Sequence, residues 1–77
     1  MKDELINLRD QGYTYALVKT KPNGTEVWID LDTPDPMNMS GVIENARTFW
    51  GMEDLETEQG WYFNFRDIEE IIEYKEE

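Results

Sequence analysis

The chain has no cysteine, no histidine and a single serine, Ser40. The first absence rules out a disulfide framework and thiol chemistry. The second removes the usual general base and the commonest metal ligand. The five glycines stand singly, so no phosphate-cradling loop can form. Bases are scarce: 7 Lys+Arg stand against 18 Asp+Glu, with no stripe or patch that would hold a nucleic-acid backbone. No run approaches the roughly 20 apolar residues of a membrane-spanning helix. Met1 to Asp10 is charged and amphipathic and lacks the apolar core of an export signal, so a cytoplasmic location is expected. Without such a signal, the glycosylation patterns Asn23-Gly24-Thr25 and Asn38-Met39-Ser40 are chance matches.

What is present points to one small folded domain, residues 1–77. Apolar residues make up 39% of the chain, and three Trp, four Tyr and three Phe supply bulk that an acidic disordered tail would lack. By per-residue norms a chain of this size is stable by roughly 4 to 11 kcal/mol. The net charge of −11 is concentrated toward the end. Residues 53 to 77 carry ten acids and only two bases, Arg66 and Lys75. Such a field repels nucleic acid and anionic membranes and speeds encounter with a basic surface. The plainer reading of the same acids is solubility.

Residues 2 to 11 read as a short helix, with Leu5, Leu8 and Ile6 inward, Asp3 and Glu4 at its positive end and Gly12 as the stop. Tyr13 to Lys21 and Thr25 to Asp32 form a hairpin about Lys21-Pro22-Asn23-Gly24, read as a three-residue loop. That loop pairs Lys19 with Val27 and Leu17 with Ile29. It places Tyr15, Leu17, Val27, Ile29 and Leu31 on the core face. Trp28, on the mixed face, is a candidate contact anchor, or else it covers Val18 and Ala16 or lies under a helix. Thr33 to Met39 is a loop because of its two prolines. Asp30, Asp32 and Asp35 imitate calcium spacing, but the glycine and the closing glutamate of an EF-hand loop are missing. No metal or cofactor is expected.

Ser40 serves as the cap of a second helix running to Trp50, with Val42, Ile43, Ala46, Phe49 and Trp50 inward. Met52 to Gly60 is an exposed connector. Trp61, Phe63 and Phe65 alternate with Tyr62 and Asn64 as a third strand. From Asp67 onward Ile68, Ile71 and Ile72 recur at helical spacing, with Glu69, Glu70, Glu73, Glu76 and Glu77 opposite them and Tyr74 at the margin. A fourth strand fits this stretch less well because Ile71 and Ile72 are adjacent. The expected fold is α+β in the order α-β-β-α-β-α, a three-stranded antiparallel sheet with helices packed on it.

Catalysis needs a positioned nucleophile, acid–base pair or metal in a pocket. Ser40 is better explained as a cap, and a chain this short whose aromatics form its core leaves little wall for a cleft. The expectation is a non-enzymatic protein that binds other proteins. Glu69, Glu73 and Glu77 would make a regular helical row of carboxylates, which Glu56 and Glu58 of the connector extend. Such a row suits a basic protein surface, and Tyr74, Tyr62 and Trp28 are the candidate apolar anchors.

In size, acidity, missing Cys and His, and mixed element order, the chain resembles the small phage-encoded inhibitors, among them the anti-CRISPR proteins. Some of these mimic DNA and plug the nucleic-acid channel of a nuclease complex. The resemblance implies an inhibitor whose acidic surface, centred on Glu69, Glu70, Glu73, Glu76 and Glu77, faces a basic groove of a nucleic-acid-binding host protein. The alternative is a protein–protein interaction or structural accessory module that uses exposed aromatics, including as a homodimer.

Overall fold

Asp3 and Glu4 in the first turn and Arg9 in the last complement the helix dipole of α1 (Lys2–Asp10), and Leu5 and Leu8 bury its inner stripe. Gly12 follows at φ 101°, a left-handed conformation that glycine adopts without penalty and that turns the chain into the sheet. The computed structural model describes residues 1–37 and 41–76. After α1 come the strands β1 (Tyr15–Thr20), β2 (Thr25–Asp30), β3 (Thr48–Met52), β4 (Gly60–Asn64) and β5 (Ile68–Lys75). Single 3₁₀ turns lie at Ile43–Asn45 and Phe65–Asp67. The strands form one antiparallel sheet in the order β4-β3-β2-β1-β5.

One helix on a five-stranded sheet replaces the expected three helices on three strands. The larger correction is at the end of the chain. Residues 68–75 are a strand, and two β-bulges explain why they look helical. Leu17 faces Glu73 but Val18 faces Ile71, leaving Ile72 as an extra residue; Lys19 faces Glu70 but Thr20 faces Ile68, leaving Glu69 extra. Each bulge sets two residues of β5 against one of β1. The positions opposite the inward residues Ala16, Val18 and Thr20 therefore become Tyr74, Ile71 and Ile68. That is a spacing of three, which imitates one side of a helix although the backbone is extended.

The second correction concerns residues 40–50. Ser40 lies outside the described residues, so its capping role does as well. Ile43 and Ala46 are buried as expected, but around a single 3₁₀ turn. Phe49 and Trp50 are neighbours in β3 and so point to opposite sides of the sheet. Val42 is exposed.

The third correction is one of register. The β1–β2 loop has four residues, Lys21 to Gly24 with a cis Lys21–Pro22 peptide, so Thr20 pairs with Thr25 and Val18 with Val27. Thr20 Oγ1 donates to the Thr25 carbonyl at 2.8 Å. A slip of one residue exchanges the faces of a strand. Ala16, Val18 and Thr20 are buried, whereas Tyr15 and Leu17 are only half-buried on the other side. For β2 the expected inward set, Val27 and Ile29, holds, as does Leu31 just beyond it.

The core lies on one side of the sheet, between it and α1 with the segment carrying the first 3₁₀ turn. Leu5, Leu8, Ala16, Val18, Val27, Ile29, Ile43, Phe49, Phe65 and Ile68 meet there. Arg9 ties the two covering pieces together with a bidentate contact to Glu44, Nη1 to Oε1 at 2.7 Å and Nη2 to Oε2 at 2.8 Å. That contact, aided by a backbone N–H, lowers the Glu44 carboxyl from an ordinary 4.5 to about 2. A depressed carboxyl adds stability above its ordinary pKa and loses it as pH falls through the folded value. The melting temperature of the wild type should therefore exceed that of Glu44→Gln at pH 5, and the gap should close by pH 2. A gap independent of pH would show that the pair does not couple to folding.

Candidate functional site

Among the described residues no helix lies over the face of the sheet turned away from α1. Tyr15, Leu17 and Lys19 of β1 share this side with Glu26, Trp28 and Asp30 of β2, by alternation and pairing. Glu70 faces Lys19 and Glu73 faces Leu17, so both acids of β5 belong to the same open face. Lys19 Nζ stands 3.9 Å from Glu70 Oε1, a weak exposed pair. Trp28 stands on the other side of the sheet from Ala16 and Val18, and no helix among the described residues lies over it. It is half-buried beside Leu17, and the Lys75 ammonium stands 4.8 Å from its ring centre.

The acids expected to form a helical row fall out differently. Glu69, Glu70, Glu73 and Glu76 are all exposed, along or just past an edge strand. Glu70 and Glu73 look out from the open face, and Glu69 occupies a bulge. Glu77 lies outside the described residues. Glu56 and Glu58 are exposed in the β3–β4 connector, toward the opposite edge of the sheet. Four strand spacings of about 4.8 Å separate β4 from β5, about 19 Å in all, so these two acids do not prolong the β5 row. Tyr74 lies on the helix side, its ring centre 4.6 Å from that of Tyr13, and takes no part in the open face. In β4, Trp61 and Phe63 share the core side, but only Phe63 packs against the core, and Trp61 at the edge is 45% exposed. Phe65 is buried in the 3₁₀ turn beyond the strand.

Sequence reasoning missed the other half of the open face, because it placed Trp50 in a helix. Trp50 and Tyr62 face each other across β3 and β4, ring centres 4.9 Å apart and inclined at 73°. The indole Nε1–H donates to the Glu58 carbonyl at 3.0 Å, which fixes the ring. β2 and β3 pair only at Trp28 and Met52, and the loop after β2 fills the gap. There the Trp50 N–H donates to the Pro34 carbonyl at 2.8 Å, and Thr48 Oγ1 donates to Asp35 Oδ2 at 2.6 Å. A cavity of about 450 Å³ opens between this loop and the two rings. The signal that Trp50 lies in a strand was the aromatic, β-branched composition of Thr48-Phe49-Trp50.

Asp30, Asp32 and Asp35 do not gather: Asp30 Oδ1 accepts the N–H groups of Asp32 and Thr33 at 2.9 and 3.1 Å, while Asp35 is buried on Thr48. Among the described residues no group of three acids is placed to hold a metal, and no helix is long and apolar enough to cross a membrane. No family model, curated protein or solved structure matches the chain.

Proposed function

We propose that this protein is a non-enzymatic inhibitor that docks on the basic, nucleic-acid-binding surface of another protein in the cytoplasm and keeps nucleic acid from it. A nuclease complex of the CRISPR kind is the type of target. The observation that carries this reading is the joint placement of Glu70 and Glu73 with Leu17 and Trp28 on one uncovered face. Carboxylates at the border supply long-range attraction and compete for Lys/Arg side chains that otherwise hold phosphates, while an apolar centre supplies the contact that persists once water is excluded. The net charge of −11 adds speed to the encounter. A row on a strand edge replaces the row on a helix, and the acidic-mimic idea survives that change because exposure and sign matter more than helical pitch.

The test is recovery of a partner from host lysate on the tagged protein, washed with and without duplex DNA. Elution of a nucleic-acid-binding protein by DNA and by salt is expected. Reversal of Glu70 and Glu73 to Lys should weaken binding roughly tenfold, at about 0.7 kcal/mol for each exposed charge. The same reversal at Asp3 and Glu4 should have little effect. Equal losses at both sites would overturn a specific acidic face.

A second reading, an aromatic-anchored accessory module or homodimer, is favoured by Trp61, 45% exposed on the edge strand β4. It requires binding that is indifferent to salt.

A further inference from the structure

We propose that the cavity between the Thr33–Met37 loop and the Trp50–Tyr62 pair binds an organic cation, an ammonium group carrying methyl or larger apolar substituents. Its size of about 450 Å³ falls within the range of small-molecule sites. Two observations fix the chemistry. The walls are apolar and aromatic: Trp50 and Tyr62 meet edge to face, and Met52 and Pro36 line the space beside them. The charged residues lining it are Asp30 and Glu58, both acids, with no base among the described lining residues.

Aromatic faces attract a cation through the ring quadrupole, and quaternary ammonium groups are recognised by rings of this kind. Two carboxylates of one sign sharpen that preference and repel an anion of the same shape. Trp50 is well suited to the task because its indole N–H is held by Glu58 and cannot turn to meet an anion. The site goes beyond the docking function proposed above and does not depend on it. Loss of a protein partner would leave cation binding intact, and the converse holds as well.

Three probes of nearly one shape separate charge from size: choline, 3,3-dimethylbutan-1-ol and 3,3-dimethylbutanoate. Each is titrated into the ¹⁵N-labelled protein at fixed ionic strength. Choline should shift the Trp50 indole resonance and the Met52 and Tyr62 amides in a saturable way. Its affinity should exceed that of the neutral alcohol by about fivefold or more, and the anion should bind least. Asp30→Asn keeps the oxygen that accepts the two loop N–H groups but removes the charge, so it should reduce the preference for choline over the alcohol. Trp50→Phe, checked for an unchanged amide spectrum elsewhere, should weaken all three probes. Equal affinity for choline and the alcohol, or shifts spread over the acidic surface without saturation, would overturn the site. A short peptide bearing trimethyl-lysine separates the two sources of such a group. Tighter binding than choline assigns the cation to a protein side chain, and equal or weaker binding assigns it to a free amine.

Discussion

Replacing Phe49 by Ala should cost about 3–5 kcal/mol, a large part of the roughly 4 to 11 kcal/mol available to a chain of this length. Phe49, the second residue of β3, is fully buried and packs against two other rings. Its ring centre lies 5.6 Å from that of Phe63 in a stacked arrangement and 5.0 Å from that of Phe65 in a tilted one. Truncation removes the ring, leaves a cavity, and strips both partners of a packing surface that no other side chain can supply. Phe65 belongs to the second 3₁₀ turn, so that turn gains freedom when Phe49 goes. In a small domain each kcal/mol moves the melting temperature by about 4–8 °C, and the variant should be partly unfolded at 37 °C. Phe49→Leu keeps most of the volume and should lose less than half as much. An unfolding free energy for Phe49→Ala from urea titration within about 0.5 kcal/mol of the wild type would mean that β3 does not lie over the core as described.

Gly60→Ala should be nearly as damaging for a different reason. A Cβ at position 60 would fall on the carbonyl oxygen of Gly51 and 2.8 Å from its carbonyl carbon. Both atoms are backbone, so no rotamer change relieves the overlap, and the β3–β4 pair must part. A Cβ at Gly51 would instead meet side-chain atoms, Val27 Cγ2 at 2.7 Å and Phe63 Cδ2 at 2.8 Å. Those can shift slightly, although inside a filled core. A loss of about 3 kcal/mol is expected for Gly60→Ala, at the upper end of overpacking costs, and a smaller one for Gly51→Ala. Amide hydrogen exchange should locate the damage. The Glu53 amide, bonded to the Gln59 carbonyl at 2.8 Å, should lose protection first, while the β1–β2 ladder keeps its own. Wild-type exchange at Glu53 in the Gly60→Ala protein would refute the close approach of the two glycines.

The sequence displayed α1, the β1–β2 hairpin and the inward residues of β2 openly, because each obeys the ordinary period of its element. It concealed β5 because bulges at Ile72 and Glu69 convert a period of two into a period of three. Glutamate and isoleucine add to the disguise, since five glutamates in eleven residues read as a solvated helix face. The face assignment of β1 was lost through a single residue in the turn, four in place of three. Of the candidate site, exposure of the β5 acids and the side of the sheet on which Trp28 stands were legible, since both follow from composition and alternation. The cavity was not. It depends on Trp50 and Tyr62 meeting across strands and on a loop that takes the place of a β2–β3 ladder, neither of which has a local signature.

The strand order has a consequence for how the chain reaches this state. β1 lies between β2 and β5, and Tyr15 is paired with Lys75, so the second neighbour of β1 comes from the far end of the chain. Local hairpins can close as soon as they are made, but this pairing must await the sixty positions that separate Tyr15 from Lys75, and contacts so remote in sequence slow the search. During synthesis one side of β1 presents bare amide and carbonyl groups until β5 arrives, the kind of template on which nascent chains adhere to one another. The glutamates of β5 bear on this: the segment that seals the sheet carries enough like charge to discourage it from sealing a neighbour's sheet.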